Sequence, residues 1–278
     1  MRGLLRHRSR ARLGLGIFAA LVYAFLYLPV VLVFVYAFNS ATITSWPPST
    51  PSFHWFRVLF ADPDPKDAFV NSLEVAVAAT VIAVVLGTAA GFAVQRFRFP
   101  GREVLNFGIT LPILLPGIIT GVAMTTWFSQ LIQWGILSQL SLLTVTIGHA
   151  TFCIVLVFNN VLARLRRTTR SLEEASMDLG ADGWQTFWRV TLPSIRGAVI
   201  AGALLAFTLS FDEIIVTFFL IGAQNTLPLW ILGHIRLGQN FPEIDAAAVC
   251  VILISVPIVL LSQYFTREPE MALALPEP

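Results

Sequence analysis

Charge is scarce in this 278-residue chain. Asp, Glu, Lys and Arg together make up 12% of it and hydrophobic residues 56%, whereas ordinary soluble domains carry about 25% charged residues. So few ionised groups cannot cover a water-soluble surface, and lipid is the expected solvent. Lysine is almost missing, with Lys66 standing alone beside 17 Arg. The net charge is only +2 and the Arg fall in short runs between apolar stretches, so nucleic acid is not an expected partner. Cysteine is rare too. Cys153 and Cys250 lie inside apolar segments without CxxC or metal-ligand spacing, and read as small buried hydrophobes. No GxxxxGKS or GxxxxGKT loop occurs, so the sequence offers no P-loop to cradle nucleotide phosphates.

Long apolar runs are abundant. Crossing a hydrocarbon core of about 30 Å takes roughly 20 apolar residues at about 1.5 Å each. Six stretches qualify, at about 13–38, 69–94, 105–131, 143–162, 197–222 and 246–265. The first comes after Arg2, Arg6, Arg8, Arg10 and Arg12, as a signal peptide would, but it is longer than a signal core and lacks a small-x-small exit, so an uncleaved span is expected. Fifteen Arg and Lys fall on one side of the six spans and three, Arg57, Lys66 and Arg236, on the other. Positive charge marks the cytoplasmic side. The reading is an all-α membrane protein with six transmembrane helices, both termini cytoplasmic, a cytoplasmic N-terminal segment at 1–12 and a cytoplasmic tail at 266–278.

The connections differ in kind. Asn39 to Asp67 holds five Pro with Trp46, Trp55 and several Phe, which suits either a docking surface for an external partner or a cap over helix ends. Leu227, Trp230, Ile231, His234 and Ile235 recur at helical spacing, predicting a short helix at the outer interface. The tail beyond Glu268 shows no apolar periodicity.

The connection at 163–196 is the most informative. Ser171-Leu172-Glu173-Glu174 has the capping-box pattern, in which Ser and a Glu three residues later satisfy each other's backbone donors, so a helix is predicted to start there. Gly180 supplies a left-handed position to end it, and Asp182 with Gln185 can cap a second helix leading to Leu192-Pro193. Glu174-Ala175-Ser176, Gly180 six residues after Glu174, and Val190-Thr191-Leu192-Pro193 together resemble the EAA motif of binding-protein-dependent ABC transporter permeases of the MetI-like fold. Ser176 departs from the pattern, standing where a second Ala is usual. Asn71-Ser72-Leu73, Pro112, Pro116, Gly121 and Ile147-Gly148-His149 extend the resemblance over nearly the whole chain.

That resemblance implies the type I importer architecture in a bacterial inner membrane. It implies that the loop at 163–196, through Glu174, Ala175, Ser176, Gly180, Leu192 and Pro193, docks on an ATPase subunit. It further implies two ATPase copies, a second homologous permease subunit and an extracytoplasmic substrate-binding protein as partners, with no cofactor and no catalytic residue on this chain.

The fifth span carries Ser210-Phe211-Asp212-Glu213. Counted from Gly197, Asp212 lies about 22 Å along a helix rising about 1.5 Å per residue. Carboxylates at that depth avoid lipid and face a bundle interior or a wet cavity. They can pair with an Arg or helix terminus of a partner permease, or, with Phe211, Phe218 and Phe219 as aromatic faces, line a path for a cation. The stretch from Phe207 through Thr226-Leu227-Pro228 resembles spermidine/putrescine-type permeases of the PotC-like branch, which implies a polyamine or a related cationic or opine-like solute. One departure stands in span three, where Gly117 follows Pro116 and polyamine members carry an acidic residue. His149 has no His, Cys or acid three or four residues away, so a hydrogen-bonded buried histidine is expected and no metal site. Gly87 and Gly91, with Ala83, have the spacing that lets a second helix approach closely. A secondary transporter is disfavoured because no internal repeat relates the two halves. An intramembrane hydrolase is disfavoured because Asp212 and Glu213 point about 100° apart on a helix and no nucleophile motif accompanies them.

Overall fold

A computed structural model describes residues 2–42, 45–238 and 241–266, so the expected tail from residue 267 onward lies outside the described residues. Among them the chain is helical throughout apart from turns and one isolated bridge between Asn39 and Pro51. Five helices are long and apolar enough to cross a membrane, and six spans result if one bent pair is counted as a single crossing.

The described residues divide into two units, one drawn from Met1–Pro63 with Gly233–Val251, the other from Asp64–Leu232 with Ile252–Pro278. In the first unit, α1 (Arg2–Ala37) begins inside the basic segment, and from Gly14 to Ala37 it presents apolar side chains all round, as a helix solvated by lipid does. The loop behind it folds on itself. Phe38, Phe53 and Phe56 cluster with ring centroids 4.9 to 6.1 Å apart. Asn39 Oδ1 accepts from the Ser49 amide at 2.9 Å and its hydroxyl at 2.6 Å. The loop also contains α2 (His54–Ala61), whose Trp55 and Leu59 are buried.

The second unit is built around α6 (Leu142–Arg167). Val145, His149, Cys153, Val157, Val161 and Leu165 recur every four residues and are buried, forming a stripe down one face. On α3 (Pro63–Arg96) the same period gives a stripe of small residues, Val75, Ala79, Ala83, Gly87 and Gly91. A Cβ at Gly87 would stand 2.9 Å from Val157 Cβ and 3.0 Å from the Ile154 carbonyl oxygen, so α3 and α6 meet backbone to backbone where only hydrogen fits. From α9 (Leu192–Phe211), Gly202 comes as close to Val157 Cα. The end of α12 (Phe241–Thr266) is tied to α9 by the Ser262 hydroxyl, which donates to Ala201 O at 3.1 Å.

Two expected spans are interrupted. The third is split into α4 (Arg102–Leu114) and α5 (Gly117–Gln133), bent by 109°. Pro116 has no N–H to continue the ladder and pushes Leu115 out of the helical region, to φ −85°, ψ 140°. The fifth ends at Phe211 and restarts as α10 (Ile215–Leu220), instead of running to Gly222.

The connection at 163–196 holds α7 (Ser171–Asp178) and α8 (Gly183–Thr186), then a π-helical stretch at Phe187–Thr191 that passes into α9 without a break. Pro193 accounts for the widened turn, since its ring crowds the carbonyl four residues before it and it offers no N–H. The short helix predicted from the periodicity of Leu227 to Ile235 is α11 (Leu227–Leu237).

Candidate functional site

The break in the fifth span brings the acidic pair to light. Asp212 keeps its amide on Thr208 O at 3.3 Å and then leaves the helix at φ −103°, ψ 6°. Glu213 turns back on the chain. Its Oε1 accepts from the amides of Ile215 at 2.9 Å and Val216 at 3.0 Å, which supplies the partners that the first turn of α10 lacks. The two carboxylates therefore have different fates: Glu213 is half-buried and engaged, whereas Asp212 is exposed.

His149 fastens this break to α6. Its Nδ1 lies 2.8 Å from Ser210 Oγ and its Nε2 2.9 Å from Thr217 Oγ1. The Thr217 hydroxyl donates its one hydrogen to Glu213 O at 2.9 Å, so it accepts from His149 Nε2–H. A neutral ring then has a bare Nδ1, which accepts from Ser210 O–H. The far end of α10 is held as well. The Thr144 hydroxyl lies 2.8 Å from Leu220 O, and that of Thr125 2.8 Å from Phe219 O. This is the buried, hydrogen-bonded histidine expected from its isolation in sequence.

The two interrupted spans meet. A Cβ at Gly117, the first residue of α5, would stand 3.6 Å from Ile215 Cγ2 at the start of α10, an ordinary contact. Among the aromatic residues singled out with the acidic pair, Phe218 is exposed and Phe219 half-buried, their rings 5.5 Å apart at 88°. Phe211 is buried instead, stacked on Phe207 at 5.8 Å and edge-on to Phe69 at 6.0 Å, and has no open face. Below Phe219 runs an open groove of about 470 Å³ lined by Val122, Thr125, Thr126, Ser129, Gln130 and Gln133. This polar stripe escaped sequence reasoning, though the spacing of Thr126, Ser129 and Gln133 on an otherwise apolar helix was a signal for it.

The loop at 163–196 has a different character. Gly180 takes φ +90°, its amide bonding Met177 O at 2.9 Å while Ala181 N bonds Ser176 O at 3.1 Å, the paired bonds that close a helix at a left-handed residue. Asp182 caps α8, its Oδ1 accepting from Gln185 N at 2.7 Å. The expected capping box at Ser171 is not formed. Arg170 occupies the cap position and Ser171 is already helical, so its hydroxyl turns to Thr169 Oγ1 and Glu174 pairs with Arg170 at 3.3 Å in solvent. The Ser176 hydroxyl, absent from the usual motif, reaches Thr186 Oγ1 at 3.2 Å and joins α7 to α8. Outward, α7 and the residues after it expose Leu172, Met177, Leu179 (91% exposed), Trp184 and Trp188, with Ala175 among them. Inward, Glu173 alone of α7 is buried, against Arg96. Sequence reasoning missed that pair. Among the described residues no group of three or more His, Cys, Asp or Glu is placed to hold a metal ion.

Known proteins share this architecture. The chain is similar to the putrescine transport system permease protein PotI of Escherichia coli K12, 38% identical over 83% of this chain and 82% of that one. It is similar to the spermidine/putrescine transport system permease protein PotC of the same strain, 31% identical over 92% of this chain and 95% of that one. In fold it resembles a chain of the bacterial alginate ABC transporter solved in complex with an alginate pentasaccharide-bound periplasmic protein, with TM-score 0.72 and 17% identity over 92% of this chain and 93% of that one. A chain of the MetNI methionine ABC transporter aligns over 72% of this one with TM-score 0.55 and 16% identity. The family model for the binding-protein-dependent transport system inner membrane component matches residues 83–267. A helical chain of membrane-crossing length, matched over its C-terminal two thirds by that model and over most of its length by two transport permeases, belongs to the family of binding-protein-dependent transport system inner membrane components.

Proposed function

We propose that this chain is one of two homologous permease subunits of an ATP-driven importer for a polyamine or a related small organic cation, and that Asp212 lines the path. The observation that carries the path assignment is the division of labour in the acidic pair. Glu213 holds α10 in place, whereas Asp212 is exposed at a break in a membrane-spanning segment, with Phe218 exposed six residues further on. A carboxylate there needs a compensating positive charge, and in a path that charge is the cargo's own. One open carboxylate with aromatic faces suits passage better than a closed cage, which would hold its cargo. The likeness to permeases of putrescine and spermidine/putrescine systems supports the cation.

In this reading the termini are cytoplasmic, consistent with the distribution of Arg. The loop at 163–196 is the coupling element, with Glu174, Ala175, Ser176 and Gly180 at its turn and Leu192-Pro193 at its exit. Its exposed Leu172, Met177, Leu179 and tryptophans are the face that an ATPase subunit covers. Two ATPase subunits and an external binding protein complete the assembly, and the alginate transporter in complex with its periplasmic protein is a structural precedent for the latter.

Asp212→Asn keeps the shape and removes the charge. Uptake of putrescine or spermidine by proteoliposomes with the matched binding protein is expected to fall at least about tenfold, since a hydrogen bond to a charged group is worth about 1.5–3 kcal/mol. Assembly and basal ATP hydrolysis are expected to stay. Unchanged cation uptake rejects the path role, and uptake confined to neutral or anionic solutes rejects the cargo.

A further inference from the structure

The coupling loop reaches the membrane by two covalent routes, backward through α6 and forward through the unbroken run from α8 into α9. Span α3 has neither. Its C-terminal end nevertheless meets the loop at two points. Arg96, in the last turn of α3, donates through Nε to Glu173 Oε1 at 3.0 Å, with Nη2 at 2.9 Å from the same oxygen. The side chains are only 8% and 9% exposed. One turn earlier, Phe92 sits edge-on to Phe187 of the π-helical stretch with centroids 5.2 Å apart.

We infer that the buried Arg96–Glu173 pair is a strut through which the coupling loop moves α3 together with α6 and α9. Three features carry this. The pair joins residues 77 apart in sequence, so it is a tertiary link and not a local helix contact. Each charge stands at the helix end that favours it, the cation at the C-terminus of α3 and the anion in the first turn of α7. Desolvated and specific, such a link resists sliding, because separating it leaves two uncompensated charges. A greasy contact would tolerate slippage. Glu173 is also the one buried residue of α7, while Leu172, Glu174 and Ala175 beside it are exposed on the proposed ATPase side, so the helix takes up force on one face and delivers it on the other.

The strut rests on the proposed coupling role of this loop, and the two readings fail separately. The complex is purified with its ATPase, second permease and binding protein, and substrate-stimulated hydrolysis and uptake are compared with basal hydrolysis. Arg96→Gln and Glu173→Gln each leave one buried charge alone. Stimulated uptake is expected to fall about tenfold, within the 5- to 150-fold that coupling between distant sites commonly spans, with basal hydrolysis unchanged. The double variant Arg96→Gln/Glu173→Gln, which leaves no charge unpaired and lets two amides bond, is expected to recover part of the loss. Arg96→Lys keeps the charge without the Nε donor, assembles, and is expected to fall in between. Singles that assemble and couple normally overturn the strut, as does a double variant no better than its singles. A parallel loss of basal hydrolysis and complex yield, in Arg96→Lys as well, reduces the pair to a fold-holding contact and overturns it too. Leu179→Asp, on the outward face, tests the other reading. If it leaves the ATPase attached and stimulated, the coupling role of the loop falls; if it strips the ATPase while Arg96 and Glu173 variants behave as wild type, only the strut falls.

Discussion

The chain interrupts a helix at two places that matter, after α7 and after α9, and it does so by opposite means. The bend after α7 is made by backbone. Gly180 adopts φ +90°, Asp182 caps α8, and a Cβ at Gly180 would meet nothing within 4 Å. The break after α9 is held by side chains, one from the break itself and others from α5 and α6. Glu213 caps α10, His149 bridges Ser210 and Thr217, and Thr144 and Thr125 reach the carbonyls of Leu220 and Phe219. The difference arises from solvent. In water a turn needs only the right dihedral angle, since exposed amides and carbonyls find water. At membrane depth every freed backbone group must be satisfied by protein, so an interruption has to be laced.

The sharpest way to break this comparison is at the lacing. His149 is 1% exposed and Ser210 3%, so His149→Ala leaves a cavity and strands the Ser210 hydroxyl. The expected cost is about 2–4 kcal/mol, read as lower thermal stability of the assembled complex in detergent, with the matching loss of uptake. A cost below about 1 kcal/mol, at the level of an ordinary surface change, shows that the break holds itself and the histidine is a bystander.

The same contrast explains what sequence could reveal. The bend after α7 was legible because its determinants are local: Gly180, Asp182 and Gln185 lie within six residues and have few other uses. The break at Asp212 was not legible, because Glu213 caps its own helix only once the helix has stopped, and what stops it includes partners 61 and 68 residues away in α6. Reading a continuous span through Gly222 left Glu213 either on the path with Asp212 or against a partner subunit, where the structure instead turns it back onto the amides of Ile215 and Val216. Pro116 stands out in sequence as a family mark, yet its physical meaning, an elbow of 109°, comes from its missing N–H and from its ring holding Leu115 extended. The capping box at Ser171 illustrates the converse error. The pattern is present, but the helix begins one residue earlier, with Arg170 as its cap, and leaves it unused.

A smaller effect is expected at the bend. Gly180→Val forces a β-branched residue into the left-handed region at about 1–2 kcal/mol, whereas Gly180→Asn, which tolerates that region, costs less. No steric clash confuses the comparison, because the site is open. Stimulated ATP hydrolysis is expected to rank wild type, Asn, Val. Equal losses in Asn and Val show that the glycine serves a close approach to the ATPase and not its dihedral angle.

The smallest effect on stability is expected at Glu174, and for that reason it separates fold from function most cleanly. Its partner inside the chain is Arg170, four residues back, and both side chains are more than half exposed. A pair of this kind contributes about 0.3–0.5 kcal/mol, so Glu174→Ala leaves the thermal midpoint almost where it was. Its neighbour Glu173, one residue away and rotated by about 100°, is buried against Arg96 and is expected to matter to the link with α3. If Glu174 acts at all, it therefore acts outward, on the ATPase proposed to cover the exposed face of α7. The measurement is a pair of numbers on one variant, the unfolding midpoint of the complex and the ratio of stimulated to basal ATP hydrolysis. A fixed midpoint with a lowered ratio assigns Glu174 to the docking face. A lowered midpoint contradicts its exposure, and an unchanged ratio leaves the docking to Leu179 and the tryptophans, with the glutamate of the motif merely solvated.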